Sequence, residues 1–156
     1  MEITVGDQAP DFTLTSDAKE EISLSDYAGK NVVVLFFPLA FTGVCTTELC
    51  TMRDDLSTYG DLNAQILAIS VDSPFTLEQF KNAQNYNFPL LSDFNKEASE
   101  AYGSLYKEFA FGMKGVSKRS AFVVDKEGII RYAEVLENAG EEPNYEDIKA
   151  TLSRLN

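Results

Sequence analysis

The 156-residue chain (1–156) is predicted to fold as one α/β domain, a three-layer sandwich around a mixed central sheet. Three observations carry that expectation. The runs NVVVLFFP (31–38) and AQILAISVDS (64–73) hold continuous apolar stretches, which read as strands buried on both faces. Segments with helical spacing follow each of them, as parallel pairing requires. Late in the chain, RSAFVVDKEGIIRYAEV (119–135) reads as two strands joined by Asp125-Lys126-Glu127-Gly128, a hairpin that adds an antiparallel part.

Taken in order, GDQAPDFTLTS (6–16) carries Gly and Pro early, then alternates Phe12 and Leu14 inward as a short strand. EISLSDYAGK (21–30) reads as strand followed by tight turn. After the first buried strand, GVCTTELCTMRDDLSTYG (43–60) places Leu49, Met52 and Leu56 at spacings of three and four. That predicts one amphipathic helix closed by Gly60. After the second, Ser73 is positioned to cap a helix whose first residue is Pro74 and whose apolar side holds Phe75, Leu77 and Phe80. FPLLSD (88–93) is a short strand, and NKEASEAYGSLY (95–106) a short helix stopped near Gly103. A loop rich in glycine and aromatics precedes the hairpin. NYEDIKATLSRLN (144–156) closes the chain as an amphipathic helix.

Composition removes several function classes. The net charge is −12 and the pI about 4.3, which argues against a nucleic-acid or anionic-membrane partner. No basic and apolar leader pattern opens the sequence, and its longest apolar run is far shorter than the ~20 residues of a spanning helix. A cytoplasmic location is therefore expected. With 44% apolar residues, including 11 Phe and 7 Tyr, the core needs no staples. The absence of histidine excludes Ser-His and Cys-His catalytic pairs. It also leaves a zinc site two thiolates at most, at the poor spacing C-x4-C, so neither a metal nor another cofactor is expected.

Both cysteines fall in PLAFTGVCTTELC (38–50), where a buried strand hands over to a helix. Open α/β sheets place their sites outside the carboxyl ends of strands. A helix N-terminus presents unpaired N–H groups and partial positive charge, which favour thiolate over thiol. Cys45 can therefore serve as a nucleophile without a histidine, and Thr42 supplies a hydroxyl at the same turn. The ordinary alternative is a small buried hydrophobe. Cys50 lies five residues further on. In a regular helix the two Cα atoms are ~8.7 Å apart and ~140° around the axis, whereas a disulfide needs ~4.4–6.8 Å. The pair can join only if the first turns unwind. Glu48, near the helix start, complements the helix dipole and leaves a short helix able to fray.

These residues resemble the active-site signature of the peroxiredoxins, P-x3-[ST]-x2-C, here Pro38-x3-Thr42-x2-Cys45. The resemblance spans the chain. VGDQAPDFTL (5–14), VVVLFFPLAFTGVCTTELC (32–50), ISVDS (69–73), FPLLSD (88–93) and RSAFVVDKEGIIRY (119–132) are similar to family segments in the same order. The likeness implies a thioredoxin-like fold and a thiol-dependent peroxidase reducing hydrogen peroxide and organic hydroperoxides. It implies that Cys45 attacks peroxide and becomes a sulfenic acid, that Thr42 hydrogen-bonds peroxide and sulfur, that Pro38 shields the thiolate, and that Arg119 reaches back over the pocket. Arg53 and Arg131 are rival cations ranked below Arg119.

Two groups within the family are similar here. Pro38–Thr42 and Glu48 look like the alkyl hydroperoxide reductase E-like group. A cysteine five residues past the first looks like the bacterioferritin comigratory protein (PrxQ) group, which implies that Cys50 is the resolving cysteine. An intramolecular Cys45–Cys50 disulfide, recycled by a thioredoxin- or glutaredoxin-like dithiol, would follow. If Cys50 is inert, an external thiol completes the cycle, or the protein is a sensor that does not turn over. The absence of C-x-x-C argues against a thioredoxin-type oxidoreductase. The family also implies a homodimer, for which the aromatic stretch 109–113 offers an apolar patch.

Overall fold

The computed structural model describes residues 2–156; Met1, the first residue of the expected domain, lies outside the described residues. Seven strands form one sheet in the order β2-β1-β5-β4-β3-β6-β7. They are β1 (Thr13–Ser16), β2 (Glu21–Ser23), β3 (Asn31–Phe36), β4 (Ala64–Ser70), β5 (Leu90–Ser92), β6 (Ser120–Val124) and β7 (Ile130–Val135). The helices among the described residues are α1 (Gly43–Asp54), α2 (Leu56–Asp61), α3 (Pro74–Gln84), α4 (Glu97–Ala101) and α5 (Tyr145–Leu155). Strands β3, β4 and β5 are parallel, while β1–β2, β1–β5, β3–β6 and β6–β7 are antiparallel. The sheet is mixed, as expected. None of these helices is long and apolar enough to cross a membrane.

Every residue of β3 is buried, because both faces of the strand are covered. Val33 and Leu35 join one core with Leu49 and Met52 of α1, Leu77 and Phe80 of α3, and Ile148 and Leu152 of α5. Val32, Val34 and Phe36 point the other way, into a second core with Phe12, Ala98 and Tyr102. The period of two along the strand thus divides its residues between two layers. The crossovers β3–β4 and β4–β5 progress in one direction across the sheet. A common hand therefore puts α1 and α3 on the same face.

Three expectations need correction. The helix read across residues 43–60 is two helices, broken at Asp55, whose φ of −97° and ψ of 9° leave the helical basin. Lys149 of α5 holds the Asp55 carboxylate at 2.6 Å there. The left-handed residue beyond α2 is Asn63, with φ 57°, and not Gly60. Phe75, assigned to the apolar side of α3, is 68% exposed, while Leu77 and Phe80 are buried. Position 75 falls in the first turn, beyond the edge of the sheet-facing stripe. The first strand is also shorter than expected: Phe12 is buried just ahead of it, and regular pairing begins at Thr13.

Candidate active site

The carboxyl end of β3 delivers the chain into the loop 37–42 and then into α1. Phe37 continues the ladder, its N–H bonded to the Ile69 carbonyl, and Pro38 is buried directly behind it. Proline lacks a donor for the next rung, so the strand stops. Asp72, from the loop after β4, pins the turn: its Oδ2 accepts from the Ala40 N–H and the Ser70 hydroxyl, both at 2.7 Å. Phe41 takes a left-handed conformation (φ 66°), unusual for a side chain of that size, and its ring packs 5.0 Å from that of Phe80. The loop after the parallel β4, which carries Asp72, and α3, which carries Phe80, thus hold the loop that launches α1.

Thr42 occupies the N-cap position of α1, but its side chain makes no capping bond. Its hydroxyl instead donates to the Leu39 carbonyl at 2.8 Å. This differs from the capping that residue type alone suggests. The cause is the turn at Phe41, which brings the Leu39 carbonyl within reach. Cys45 is the third residue of α1 and has no exposed surface.

Arg119 immediately precedes β6. Because Phe36 pairs with Ser120 in the antiparallel β3–β6 ladder, Arg119 comes level with the end of β3, under the start of α1. Its three nitrogens are all engaged. Nη2 donates to Cys45 Sγ at 3.2 Å, Nη1 to Glu48 Oε1 at 2.8 Å, and Nε to the Ala139 carbonyl at 3.0 Å. The rigid fork of a guanidinium suits this three-way contact, and the point charge of a lysine does not. The rivals lie elsewhere: Arg53 bonds Asp54 and the Gln84 carbonyl, and Arg131 pairs with Asp125.

Glu48 is the residue whose part the sequence reading missed. It does not sit at the surface complementing a dipole. It is fully buried one turn after Cys45, with Oε1 on Arg119 and Oε2 without a partner among the described residues. Burial pushes its carboxyl up to about 7, against the pull of Arg119. Burial alone would pull Arg119 down, but Glu48 and Cys45 beside it outweigh that and raise it. The signal was available in the spacing: positions 45, 48, 49 and 52 share one helix face, so a glutamate among them has to be buried.

A cleft of about 840 Å³ opens over this cluster, with Thr42, Gly43 and Val44 on one side and Tyr106, Lys118 and Arg119 on another. Cys50 lies apart, partly buried beside Gln84 and Tyr86. Both cysteines are free thiols, and α1 runs unbroken between them. The structure therefore brings Cys45, Arg119 and Glu48 into contact, with Thr42 in the wall of the adjoining cleft and Pro38 behind the loop. It leaves Cys50 outside that cluster.

Known proteins share this architecture. The chain is 44% identical to alkyl hydroperoxide reductase E of Mycobacterium tuberculosis over 136 residues, covering 85% of this chain and 86% of that relative. Among solved structures, a peroxiredoxin-like protein of Aquifex aeolicus matches with a TM-score of 0.89 at 29% identity, over 100% of this chain and 90% of that one. The peroxidoxin BcpB of Mycobacterium tuberculosis matches with a TM-score of 0.87 at 25% identity, over 99% of both chains. Likeness of this extent, across a thioredoxin-like fold, places the chain among the thiol peroxidases, oxidoreductases that act on peroxide. It belongs to the AhpC/TSA family, whose sequence pattern matches residues 5–133.

Proposed function

We propose that Cys45 is the peroxidatic residue and that the contact from Arg119 Nη2 to its sulfur, at 3.2 Å, carries the reaction. The thiolate attacks the hydroxyl oxygen of a hydroperoxide. An S–O bond forms, the O–O bond breaks, and the products are a sulfenic acid and an alkoxide or hydroxide that takes up a proton. Sulfur is oxidised by two electrons and the peroxide is reduced by the same two. Arg119 stabilises negative charge first on sulfur and then on the departing oxygen. Thr42 gives its own proton to Leu39, so toward a peroxide it acts as an acceptor and orients the substrate O–H. Pro38 excludes water from behind the sulfur, and Glu48 holds the guanidinium in place.

Cys50 then resolves the sulfenic acid as an intramolecular disulfide, which a thioredoxin- or glutaredoxin-like dithiol reduces. A second reading has a specific observation in its favour: the unbroken helix between the two thiols, and the contacts of Cys50 with Gln84 and Tyr86, suit an inert Cys50 and an external thiol. One experiment separates them. After one equivalent of peroxide and no reductant, the internal bridge appears as loss of two hydrogens from the protein mass. Gain of one oxygen that persists supports the one-cysteine cycle. Peroxide reaction with no turnover under any dithiol or monothiol supports a sensor. The protein works in a reducing compartment, the cytoplasm, and as a homodimer through the apolar stretch 109–113, where Phe111 is entirely exposed.

A further inference from the structure

Tyr86 follows α3 and belongs to no strand. Asn85, in a left-handed conformation with φ 55°, ends that helix and turns the chain, and the Tyr86 N–H bonds back to the Lys81 carbonyl. The ring is nearly fully buried. It meets Phe80 edge-on at 5.1 Å between centroids and stacks on Phe88 at 5.6 Å. These contacts leave the hydroxyl with two neighbours, both on α1: the Thr46 carbonyl at 3.5 Å and Cys50 Sγ at 3.8 Å. Cys50 Sγ also has Gln84 Oε1 at 3.6 Å, so its own proton has a separate acceptor.

Thr46 and Cys50 delimit the part of α1 that has to unwind before the two sulfurs can meet. That segment is weakly held by its own residues. The hydroxyls of Thr46, Thr47 and Thr51 donate to the carbonyls of Thr42, Gly43 and Thr47, a back-bonding that loosens helices. A tether from outside the helix, anchored in a packed aromatic cluster, therefore weighs heavily on the balance between the helical and unwound forms.

We propose that Tyr86 is a positioning residue that latches residues 46–50 of α1 to the aromatic cluster of Phe80 and Phe88 and so sets how the Cys45 sulfenic acid divides between two fates. The inference rests on the reading that Cys50 resolves Cys45. With the latch open, Cys50 S–H attacks the sulfenic sulfur, an S–S bond forms, the S–O bond breaks, and water leaves. With the latch closed, the sulfenate stays in the site and attacks a second peroxide, giving sulfinic acid and one alcohol or water. Burial raises Tyr86 far above its ordinary range, so its hydroxyl keeps its proton and acts through hydrogen bonding alone.

The test is the ratio of internal disulfide to sulfinic acid, read by intact mass across a peroxide titration, in the wild type, Tyr86→Phe and Cys50→Ser. Phenylalanine keeps the ring and its packing and deletes only the latch. Tyr86→Phe is expected to raise the ratio roughly three- to tenfold, the factor that one hydrogen bond controls. Amide exchange across residues 46–50 is expected to quicken by a similar factor. Should Tyr86→Phe fold poorly, Gln84→Ala, which removes the other partner of Cys50 Sγ, is expected to move the ratio in the same direction. A wild type that forms the bridge while both variants keep its ratio and exchange rates overturns the latch and leaves the resolving role standing. A wild type that never forms the bridge and matches Cys50→Ser overturns both.

Discussion

Arg119 Nη2 lies 3.2 Å from Cys45 Sγ across 74 positions of sequence, and the same guanidinium reaches Glu48 Oε1 at 2.8 Å. One buried cation thus serves a candidate nucleophile and a buried acid at once. The arrangement has consequences for both rate and stability.

Arg119→Gln is expected to slow the first oxidation of Cys45 by about 100- to 1,000-fold, the usual loss when a preorganised donor to developing negative charge is removed. Arg119→Lys is expected to recover little of it, since a lysine cannot reach sulfur, carboxylate and carbonyl together. The same Gln variant leaves the Glu48 carboxyl buried without its cation. It is therefore expected to lose about 3 kcal/mol in urea unfolding at neutral pH. Stopped-flow oxidation and urea midpoints check the two effects separately.

Stability is expected to depend on pH through Glu48. Its folded carboxyl titrates at about 7 and its ordinary value is 4.5, so between those values the folded chain holds a proton that the unfolded chain has released. The contribution is fully present below about pH 4.5 and is lost as pH rises through about 7. Arg119, Glu134 and Glu142 are the charged groups that act on it. Glu48→Gln removes this dependence, so the variant gains on the wild type as pH rises from about 5 to about 8. The gain is on the order of a few kcal/mol, at about 1.4 kcal/mol per unit of difference. Urea midpoints measured across that range decide it; a constant offset between the two proteins contradicts the assignment.

Thr42→Val keeps the shape of the side chain and removes the acceptor that faces the cleft. The oxidation rate is expected to fall about 10- to 100-fold, the range for one hydrogen bond to a charged or charging group. Thr42→Ser, which keeps the hydroxyl, is expected to stay within roughly threefold of the wild type on the same reasoning. Equal rates for the Val and Ser variants contradict the role.

Phe111 is 100% exposed in a left-handed conformation (φ 60°), beside a cleft wall that includes Phe109 and Ala110. If this stretch pairs two copies, Phe111→Asp is expected to shift sedimentation from dimer toward monomer at micromolar protein. Unchanged sedimentation removes the stretch from the interface.

Much of the sheet was legible in the sequence because its strands announce themselves. A run such as VVVLFF has no exposed face to mark with polar residues, and Asp125–Gly128 suits only a turn. The resemblance of Pro38-x3-Thr42-x2-Cys45 to the family signature pointed to Arg119 as the distant cation, and the structure brings Arg119 to the Cys45 sulfur. The break at Asp55 was not legible, because no glycine or proline marks it and the partner of the Asp55 carboxylate there, Lys149, arrives from the last helix, 94 residues away. Glu48 was placed correctly on α1 but in the wrong environment, because it was read by its distance from the helix start and not by the buried face it shares with Cys45, Leu49 and Met52. Where the Thr42 hydroxyl donates was not legible for a local reason: its acceptor, the Leu39 carbonyl, lies across a left-handed turn at Phe41 that residue type does not announce.

The most direct measurement is the rate at which reduced protein consumes hydrogen peroxide, compared between the wild type and Cys45→Ser under pre-steady-state conditions. The wild type is expected to react orders of magnitude faster than an exposed free thiol. Cys45→Ser, which still carries Cys50, is expected to show no reaction above the uncatalysed background. A Cys45→Ser protein that keeps the wild-type rate contradicts the assignment of the peroxide chemistry to this sulfur.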